Sequence, residues 1–485
     1  MNDNRPVELI ALQEKVEEMF WFVKNQAQLA RGNRSAKSPS PTGDLDETER
    51  GVHRRIMELG QRLVGVYLEE LDRGDVGYRV TYNGCEYERK HRERQETILS
   101  VFGPVAYQQS IYYDGDGRSV RPLAVMANLP ERRSTYFAQA LMSRLGIQET
   151  YRGSQESYAD FLGYSLSPRT VEKVIEEQAE SYREYEDQRV LPRVEEEKTI
   201  GAVSFDGKGI PVVPGDRTTG KTREALVGCV YTVAPEKRNA ETIAASLVMP
   251  ELLSDEDKKL NQKQNGAQNI EYYGSVTEAK ESVFGDVRQR AEARFAAASI
   301  TTVVCILDGA SCLWRLAKKN FSGAVHILDL IHVIDYLKLA TTAVEKDEEA
   351  ARLLTYTYLT LILQGRVKSV IAGLRIRLTK NRIGGRQRTE IETAITYFDN
   401  HREYMRYDEY LAAGYPIATG VIESACGHVV KDRMGKAGAR WRLTGAESVL
   451  KLRCIKASGD WHEYQEVRQR SERIRLYSHL LENAA

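Results

Sequence analysis

The stretch TIGAVSFDGKGIPVVP, residues 199–214, begins a region in which short runs of β-branched and aromatic residues replace the helical pattern before it. Each run has the length and composition of a buried strand. The later runs are TREALVGCVYTVAP at 222–235, NIEYYGSV at 269–276, SITTVVCILD at 299–308 and GAVHILDL at 323–330. Helical patterns, TEAKESVFGDVRQRAEARFAAA and LWRLAKKN, precede the fourth and fifth runs. The predicted order is therefore three strands, a helix, a strand, a short helix and a fifth strand.

This order predicts an α/β fold of the ribonuclease H plan, in which parallel strands joined by helical crossovers extend an antiparallel hairpin sheet. The plan places the first and fourth strands side by side, which brings Asp206 and Asp308 together. Gly207 and Gly309 follow these aspartates and leave the backbone uncrowded. A carboxylate on a buried strand is costly unless it is paired or binds a cation. We therefore expect a metal site here, with structural pairing as the alternative for each aspartate alone.

A third carboxylate is expected from the helical segment ATGVIESACGHVVKDRMGKAGARWR at 418–442. Its apolar residues predict a helix that packs on the sheet with Glu423 near its start. Asp432 and Glu447 compete for the same role. Nine positions separate Glu423 from Asp432, about two and a half turns at 3.6 residues per turn, which predicts that the two lie on opposite faces. Such a trio would hold two hard cations for an in-line phosphoryl displacement.

Basic residues near this helix are candidates for DNA contact. The run after Glu423 suits DNA phosphates; it comprises Arg433, Lys436, Arg440 and Arg442. Trp441 stacks on an unpaired base in one interpretation and is a buried core residue in the other. Lys221, at the tip between the first two strands, is a further candidate.

The contexts FDGKGIPV, CILDGASCLW and GVIESACGHVVKDRM with its downstream RW resemble the bacterial DDE insertion-sequence transposases of the Kra group, which are similar to the eukaryotic Mutator-like elements. The resemblance extends from about residue 95 to about 455. It implies that Asp206, Asp308 and Glu423 bind two Mg²⁺ (or Mn²⁺) ions, with Asp329 and His332 as an accessory D-x-x-H site.

The resemblance also implies an activity and its partners. The protein would bind double-stranded DNA at the terminal inverted repeats of its element, cut the 3′ ends and join them to target DNA, as a homodimer or higher oligomer. Many relatives carry a C-x-x-C zinc knuckle after a tyrosine-rich hairpin, where this chain has YYDGDGRSVRPL. A structural zinc is therefore not expected there, and the hairpin must be held by packing.

Residues 215–222 match the phosphate-loop pattern G-x-x-x-x-G-K-[ST]. A phosphate loop needs a helix directly after its Lys-Thr, so that backbone amides and the helix dipole face the phosphates. The residues after Thr222 have strand composition instead. We therefore interpret DRTTGKT as a hairpin tip, and a P-loop ATPase is the hypothesis that the pattern disfavours.

The N-terminal half combines helices, a hairpin and a possible helix-turn-helix. Gly103-Pro104 breaks an aromatic strand region into a hairpin, and the charged run EYERKHRER before it is either a phosphate-contact patch or a solvated loop. GSQESYADFLGYSLSPRTVEKVIEEQA has Gly163 at its turn and Ser167-Pro168 at the start of its second helix. Arg169 and Lys173 would then contact DNA; an ordinary helical hairpin is the alternative.

The predicted domains follow from these patterns. They are an N-terminal helical arm with the polar linker RGNRSAKSPSPTGD (1–78), a β-hairpin region resembling a degenerate zinc ribbon (79–130), a helix-turn-helix-like region (131–195), the first part of the ribonuclease H-like core (196–335), a helical insertion (336–410) with the basic loop RIRLTKNRIGGRQR, and the glutamate helix with C-terminal helices (411–485).

Composition excludes little by itself. Lys plus Arg and Asp plus Glu both total 69 in 485 residues, so DNA binding must depend on local patches. The six cysteines form no C-x-x-C pair, as suits reduced thiols in a cytosol. The sequence has no apolar run of signal-peptide or membrane-span type. We expect a cytoplasmic protein, nucleoid-associated when bound; the alternative to a transposase is a non-catalytic DNA-binding repressor derived from one.

Overall fold

A computed structural model describes residues 7–32, 44–217, 220–262, 266–380 and 383–481. The chain divides into two compact units, one from Met1–Tyr185 with His462–Ala485 and the other from Glu186–Trp461. The last helix therefore belongs with the N-terminal unit, which differs from the predicted grouping of 411–485 with the catalytic core. No described helix is long and apolar enough to cross a membrane.

The first unit combines helices with an antiparallel sheet of strand order β1-β2-β3-β4. Its elements up to the unit boundary are α1 Val7–Gly32, α2 Leu45–Glu70, β1 Arg79–Tyr82, β2 Cys85–Ser100, β3 Gly103–Tyr113, β4 Ser119–Val120, α3 Pro122–Met126, α4 Tyr136–Gly146, α5 Tyr151–Leu162, α6 Pro168–Ala179 and α7 Tyr182–Gln188. The predicted hairpin at Gly103-Pro104 is confirmed. The charged run at 86–94, predicted as a loop or patch, lies inside β2 because β1 and β3 pair with it on both sides.

Helix α1, the predicted N-terminal helical arm, packs on α2. A Cβ on Gly51 would lie 2.1 Å from the Phe22 ring, so this glycine lets the two helices approach. Arg55 lies 3.7 Å above the same ring. The apolar face of α2 is only partly covered, since Leu63 and Tyr67 are 50% and 54% exposed. Most of the predicted linker, at 33–43, lies outside the described residues.

The predicted helix-turn-helix outline corresponds to α5 and α6. Gly163 ends α5 with φ 76°, a left-handed conformation that favours glycine. The Ser167 hydroxyl accepts the Thr170 amide (3.1 Å) and Pro168 occupies the first turn, as expected for a helix start. Helix α6 packs inward through Val171 and Val174. The local geometry is therefore as the sequence predicts, and DNA contact stays a prediction.

The second unit is built on one five-stranded sheet. Its elements are β5 Ile200–Pro211, β6 Thr222–Val233, α8 Ala240–Val248, α9 Asp255–Gln262, β7 Gln268–Ser275, α10 Lys280–Ala297, β8 Thr302–Leu307, α11 Ser311–Asn320, β9 Val325–Leu328, α12 Leu330–Val344, α13 Glu348–Leu363, α14 Val367–Lys380, α15 Gly385–His401, α16 Tyr407–Ala413, α17 Gly420–Ala425, a π-helix Cys426–Lys431, α18 Asp432–Met434 and α19 Leu443–Ala457. The chain then continues into α20 Trp461–Leu481.

The order of this sheet is β7-β6-β5-β8-β9. β5 pairs antiparallel with β6 and β6 antiparallel with β7, whereas β5, β8 and β9 are parallel neighbours. The predicted strand and helix sequence, and the adjacency of the first and fourth strands, are thus confirmed for a mixed α/β unit. The sequence did not predict α8 and α9, which lie between β6 and β7.

A buried ionic network fixes α10 against the sheet. Arg294 is fully buried and donates to both carboxylate oxygens of Glu197 at 2.9–3.1 Å. It also donates to the backbone oxygens of Val230 (3.3 Å) and Asn269 (2.9 Å). Because each donor meets an acceptor, the desolvation of the guanidinium is compensated. This network anchors the sheet on the side away from β8 and β9.

Candidate metal centre

Asp206 and Asp308 lie next to each other because of strand register. Phe205 and Leu307 are the last partners in the parallel pairing of β5 and β8, and each aspartate is the next residue. The Gly207 amide donates to Asp206 (2.7 Å) and the Ala310 amide to Asp308 (3.0 Å). Burial foremost, with the nearby charge of Asp206, raises the pKa of Asp308. The sheet therefore holds two close carboxylates at one edge.

Three further groups converge at this edge from later helices. Asp329 directly follows β9 and caps α12, while His332 lies in the first turn of that helix. Glu423 comes from α17. Within the described residues, one ligand atom from each of these three lies within 4.8 Å of the other two. The converging set thus contains Glu423 of the predicted triad together with the predicted accessory pair.

Hydrogen bonds join Asp329 to His332 and to the start of α17, and Glu423 lies beside this pair. His332 Nδ1 lies 2.7 Å from Asp329 Oδ2 and 3.6 Å from Glu423 Oε1. The Thr419 amide donates to Asp329 Oδ1 (2.7 Å), which ties the start of α17 to α12. Asp329 is fully buried, whereas Glu423 and His332 keep about a third of their side-chain surface. The exposed groups therefore face the solvent side of the cluster.

The charges in the cluster influence one another strongly. The hydrogen bond to Asp329 raises the pKa of His332 to about 9. Burial opposes ionisation of Asp329, but hydrogen bonds from His332 and the Thr419 amide lower its pKa. Burial, and next the charge of Asp329, raise the pKa of Glu423 to about 7. The positive charge of a protonated His332 ring favours the ionised forms of Asp308, Asp329 and Glu423.

The helix that carries Glu423 continues as a π-helix from Cys426 to Lys431. Arg453 of α19 donates to the backbone oxygen of Val429 (2.6 Å) and to that of His428. Arg453 thus satisfies carbonyl groups in the widened turn. Because the turn is widened, the 3.6-residue spacing used to place Asp432 does not apply, although Asp432 is exposed and stays outside the cluster.

Glu447, the other competing acid, is occupied elsewhere. Its carboxylate accepts hydrogen bonds from the Ser275 hydroxyl (2.9 Å), the Val276 amide (2.7 Å) and the Thr277 amide (3.0 Å). It also forms an ion pair with Lys451 at 3.1 Å. Glu447 therefore caps the end of β7, and no ligand role follows from its position.

Two of the predicted DNA-contact residues are buried. Arg433 and Trp441 are 4% and 5% exposed, and the guanidinium lies 4.6 Å from the centre of the indole ring. The Trp441 indole donates to the Met434 backbone oxygen (3.0 Å). Packing therefore covers both side chains, and their direct contact with DNA stays a prediction. The core interpretation of Trp441 is confirmed.

The other basic residues after Glu423 are on the surface. Lys436, Arg440 and Arg442 are exposed. The Trp441 amide donates to Pro211 O (3.0 Å) and its carbonyl accepts the Val213 amide (2.9 Å). This backbone pairing holds the basic run beside the end of β5, the strand that carries Asp206.

Lys221, Arg169 and Lys173 are also exposed. Thr222 begins strand β6, so no helix follows the phosphate-loop pattern, although residues 218–219 of that loop lie outside the described residues. Arg169 forms an ion pair with Glu172 of its own helix. These two observations neither support nor contradict the prediction that the three residues contact DNA.

Comparisons with known proteins do not assign this chain to a family. No family model matches the chain, and no curated protein matches its sequence. A solved structure of the Drosophila P element transposase strand transfer complex aligns with a TM-score of 0.22 at 10% identity, over 67% of this chain and 80% of that chain. A similarity at this level carries no argument, so a functional conclusion has to come from the geometry of this chain.

Proposed function

We propose that the chain is a DDE-type DNA transposase with a ribonuclease H-like catalytic unit, of the class its motifs resemble. The observation that carries this proposal is the parallel register of β5 and β8. It sets Asp206 beside Asp308 at the edge where Glu423 and His332 converge. Carboxylates grouped in this way could hold the two cations that two-metal phosphoryl transfer uses.

The residues present fit a hard divalent cation. Asp206, Asp308 and Glu423 supply carboxylate oxygens, the donors that Mg²⁺ and Mn²⁺ prefer, and His332 adds an imidazole that suits Mn²⁺ better than Mg²⁺. The pKa values of Asp308 and Glu423 are raised, so their ionised forms are disfavoured in the metal-free protein. A bound cation would stabilise those ionised forms. When bound, such ions activate a water or 3′-hydroxyl and stabilise the leaving oxygen.

The side chains around this centre have separable roles. Asp329 holds His332 Nδ1 and so leaves Nε2 as the nitrogen available for a ligand. The exposed cations Lys436, Arg440 and Arg442 would neutralise phosphates of a duplex lying beside the end of β5. DNA would thereby be held with its backbone near the carboxylates. The partner is double-stranded DNA that includes the ends of the element.

The test is metal-dependent cleavage and joining of labelled DNA that carries the sequences flanking the gene on each side. Asp206→Asn, Asp308→Asn and Glu423→Gln should bind this DNA normally and lose both reactions with Mg²⁺ or Mn²⁺. Asp432→Asn is the matched control, because Asp432 lies in the continuation of the Glu423 helix yet is exposed; it should keep both reactions.

Two outcomes would contradict the proposal. Activity retained by Glu423→Gln but lost by Asp432→Asn would show that the third carboxylate is misassigned. DNA binding by the wild type with no cleavage under any divalent cation, unchanged in all the variants, would instead support a DNA-binding repressor.

A further inference from the structure

Tyr397, in the helical insertion, lies against the metal centre although no motif marks it. Its ring stacks on Tyr336 of α12, with centroids 3.8 Å apart and 16° between planes. Tyr336 is one turn beyond His332 on that helix. The ring also fills the space beside Gly309, where a Cβ would lie 2.3 Å from Cε2 and 3.0 Å from the hydroxyl oxygen of Tyr397. The residue next to Asp308 is thus a glycine that makes room for this tyrosine.

The hydroxyl of Tyr397 is buried without a hydrogen-bond partner among the described residues. The side chain as a whole is only 8% exposed. A buried polar group in this condition destabilises the folded protein. Phenylalanine would fill the same space without that cost, so the hydroxyl needs an explanation outside the packing.

The surroundings indicate what the hydroxyl can do. Burial, then Tyr336 and the charges of Asp308 and Asp329, raise the pKa of Tyr397. The hydroxyl therefore stays protonated and can donate. The carboxylates whose charges act on it are Asp308 and Asp329 of the proposed centre and Asp335 of α12. Of these, Asp308 is the residue before Gly309, against which the hydroxyl packs.

We propose that Tyr397 is a positioning residue of the metal centre, whose hydroxyl donates a hydrogen bond to the Asp308 carboxylate in the cation-bound state. This rests on the proposed function. It makes the helical insertion part of the active site, because α15 would orient Asp308, the ligand that directly follows β8. A group that hydrogen-bonds a metal ligand typically changes metal affinity or activity by about 10- to 100-fold.

The test measures Mn²⁺ binding to the full-length, metal-free protein by calorimetry, with thermal unfolding as the check on folding. Tyr397→Phe keeps the stacked ring and should melt at or above the wild-type temperature, yet bind Mn²⁺ about 10-fold more weakly. In cleavage assays kcat should fall while KM for DNA stays constant. Gly309→Ala, whose Cβ displaces the Tyr397 ring, should weaken Mn²⁺ binding in the same direction.

Tyr410→Phe is the matched control. Tyr410 is 2% exposed in the same unit, and its hydroxyl donates to the His326 backbone oxygen (3.2 Å). This variant should lower the melting temperature and leave Mn²⁺ affinity unchanged. Wild-type Mn²⁺ affinity in a folded Tyr397→Phe would overturn the positioning role while leaving the proposed function intact. Failure of the wild type to bind Mn²⁺ would overturn the metal centre itself, and the role of Tyr397 with it.

Discussion

Glu447→Gln is expected to destabilise the second unit without inactivating it. The glutamine keeps the shape of the side chain but removes its negative charge. That charge accepts hydrogen bonds from the Ser275 hydroxyl and from the amides of Val276 and Thr277. Hydrogen bonds to a charged acceptor contribute about 1.5–3 kcal/mol each and neutral ones about 0.5–1.5 kcal/mol. Three weakened bonds give a loss of about 3 kcal/mol, and solvation of the exposed Thr277 amide reduces it to about 2–3 kcal/mol. Lys451 also forms an ion pair with Glu278 at 3.0 Å, so the lysine charge is still paired after the substitution.

The measurement is denaturant unfolding of the metal-free protein followed by tryptophan fluorescence. Trp314, Trp441 and Trp461 belong to the second unit, so the signal reports mainly on its transition. The midpoint should fall while the slope with denaturant stays constant. Because the chain has two units, the free energy refers to that transition alone.

Glu423→Gln is the counterpart in the same assay. It removes a charge from a cluster of carboxylates, so the metal-free protein should be as stable as the wild type or more so, while cleavage is lost. An unchanged unfolding free energy together with lost cleavage in Glu447→Gln would contradict the structural role of Glu447. Glu447 would then be the third carboxylate, and its hydrogen bonds at the end of β7 would have no structural importance.

Two further expectations concern the same unit. Arg453→Lys should destabilise the second unit by about 1–3 kcal/mol and lower cleavage, since an ammonium lacks the planar fork that reaches the carbonyls of both His428 and Val429; unchanged unfolding would contradict this. Burial raises the pKa of Glu186 to about 7. The protonated carboxyl therefore contributes fully to the free energy of unfolding below the ordinary pKa of a glutamate, and this contribution is lost as pH rises through 7. Glu186→Gln should abolish that loss, at most about 3 kcal/mol, when unfolding free energies are compared at pH 5 and pH 9.

The sequence predicted the sheet of the second unit well because its strands are buried. Continuous β-branched runs such as those ending at Phe205 and Leu307 have few alternatives, and the helical crossover through α10 forces β8 to lie parallel to β5. Register then follows from the fold, and it places Asp206 beside Asp308 without further information. Local signals also sufficed at Gly163 and Ser167, where a left-handed residue and a capping hydroxyl act within a few positions.

Other features could not be predicted, because they depend on partners far away in the chain. The charged run at 86–94 becomes strand because β1 and β3 pair with it, which overrides its composition. Arg433 and Trp441 have the composition of a DNA-binding segment, and only tertiary packing shows that they cover each other. Arg453 donates hydrogen bonds to the π-helix after Glu423, and no local sequence pattern predicts that π-helix.

The position of Asp329 separates its role from those of the other acids. It is fully buried, and both carboxylate oxygens are engaged, Oδ1 by the Thr419 amide and Oδ2 by the amide and Nδ1 of His332. A carboxylate in this state orients its partners more readily than it ligates a cation. Asp329 links β9 and the first turn of α12 to the segment that begins α17. The same residue therefore fixes the direction of the His332 ring and the place where the Glu423 helix starts, and its removal should disorganise both together.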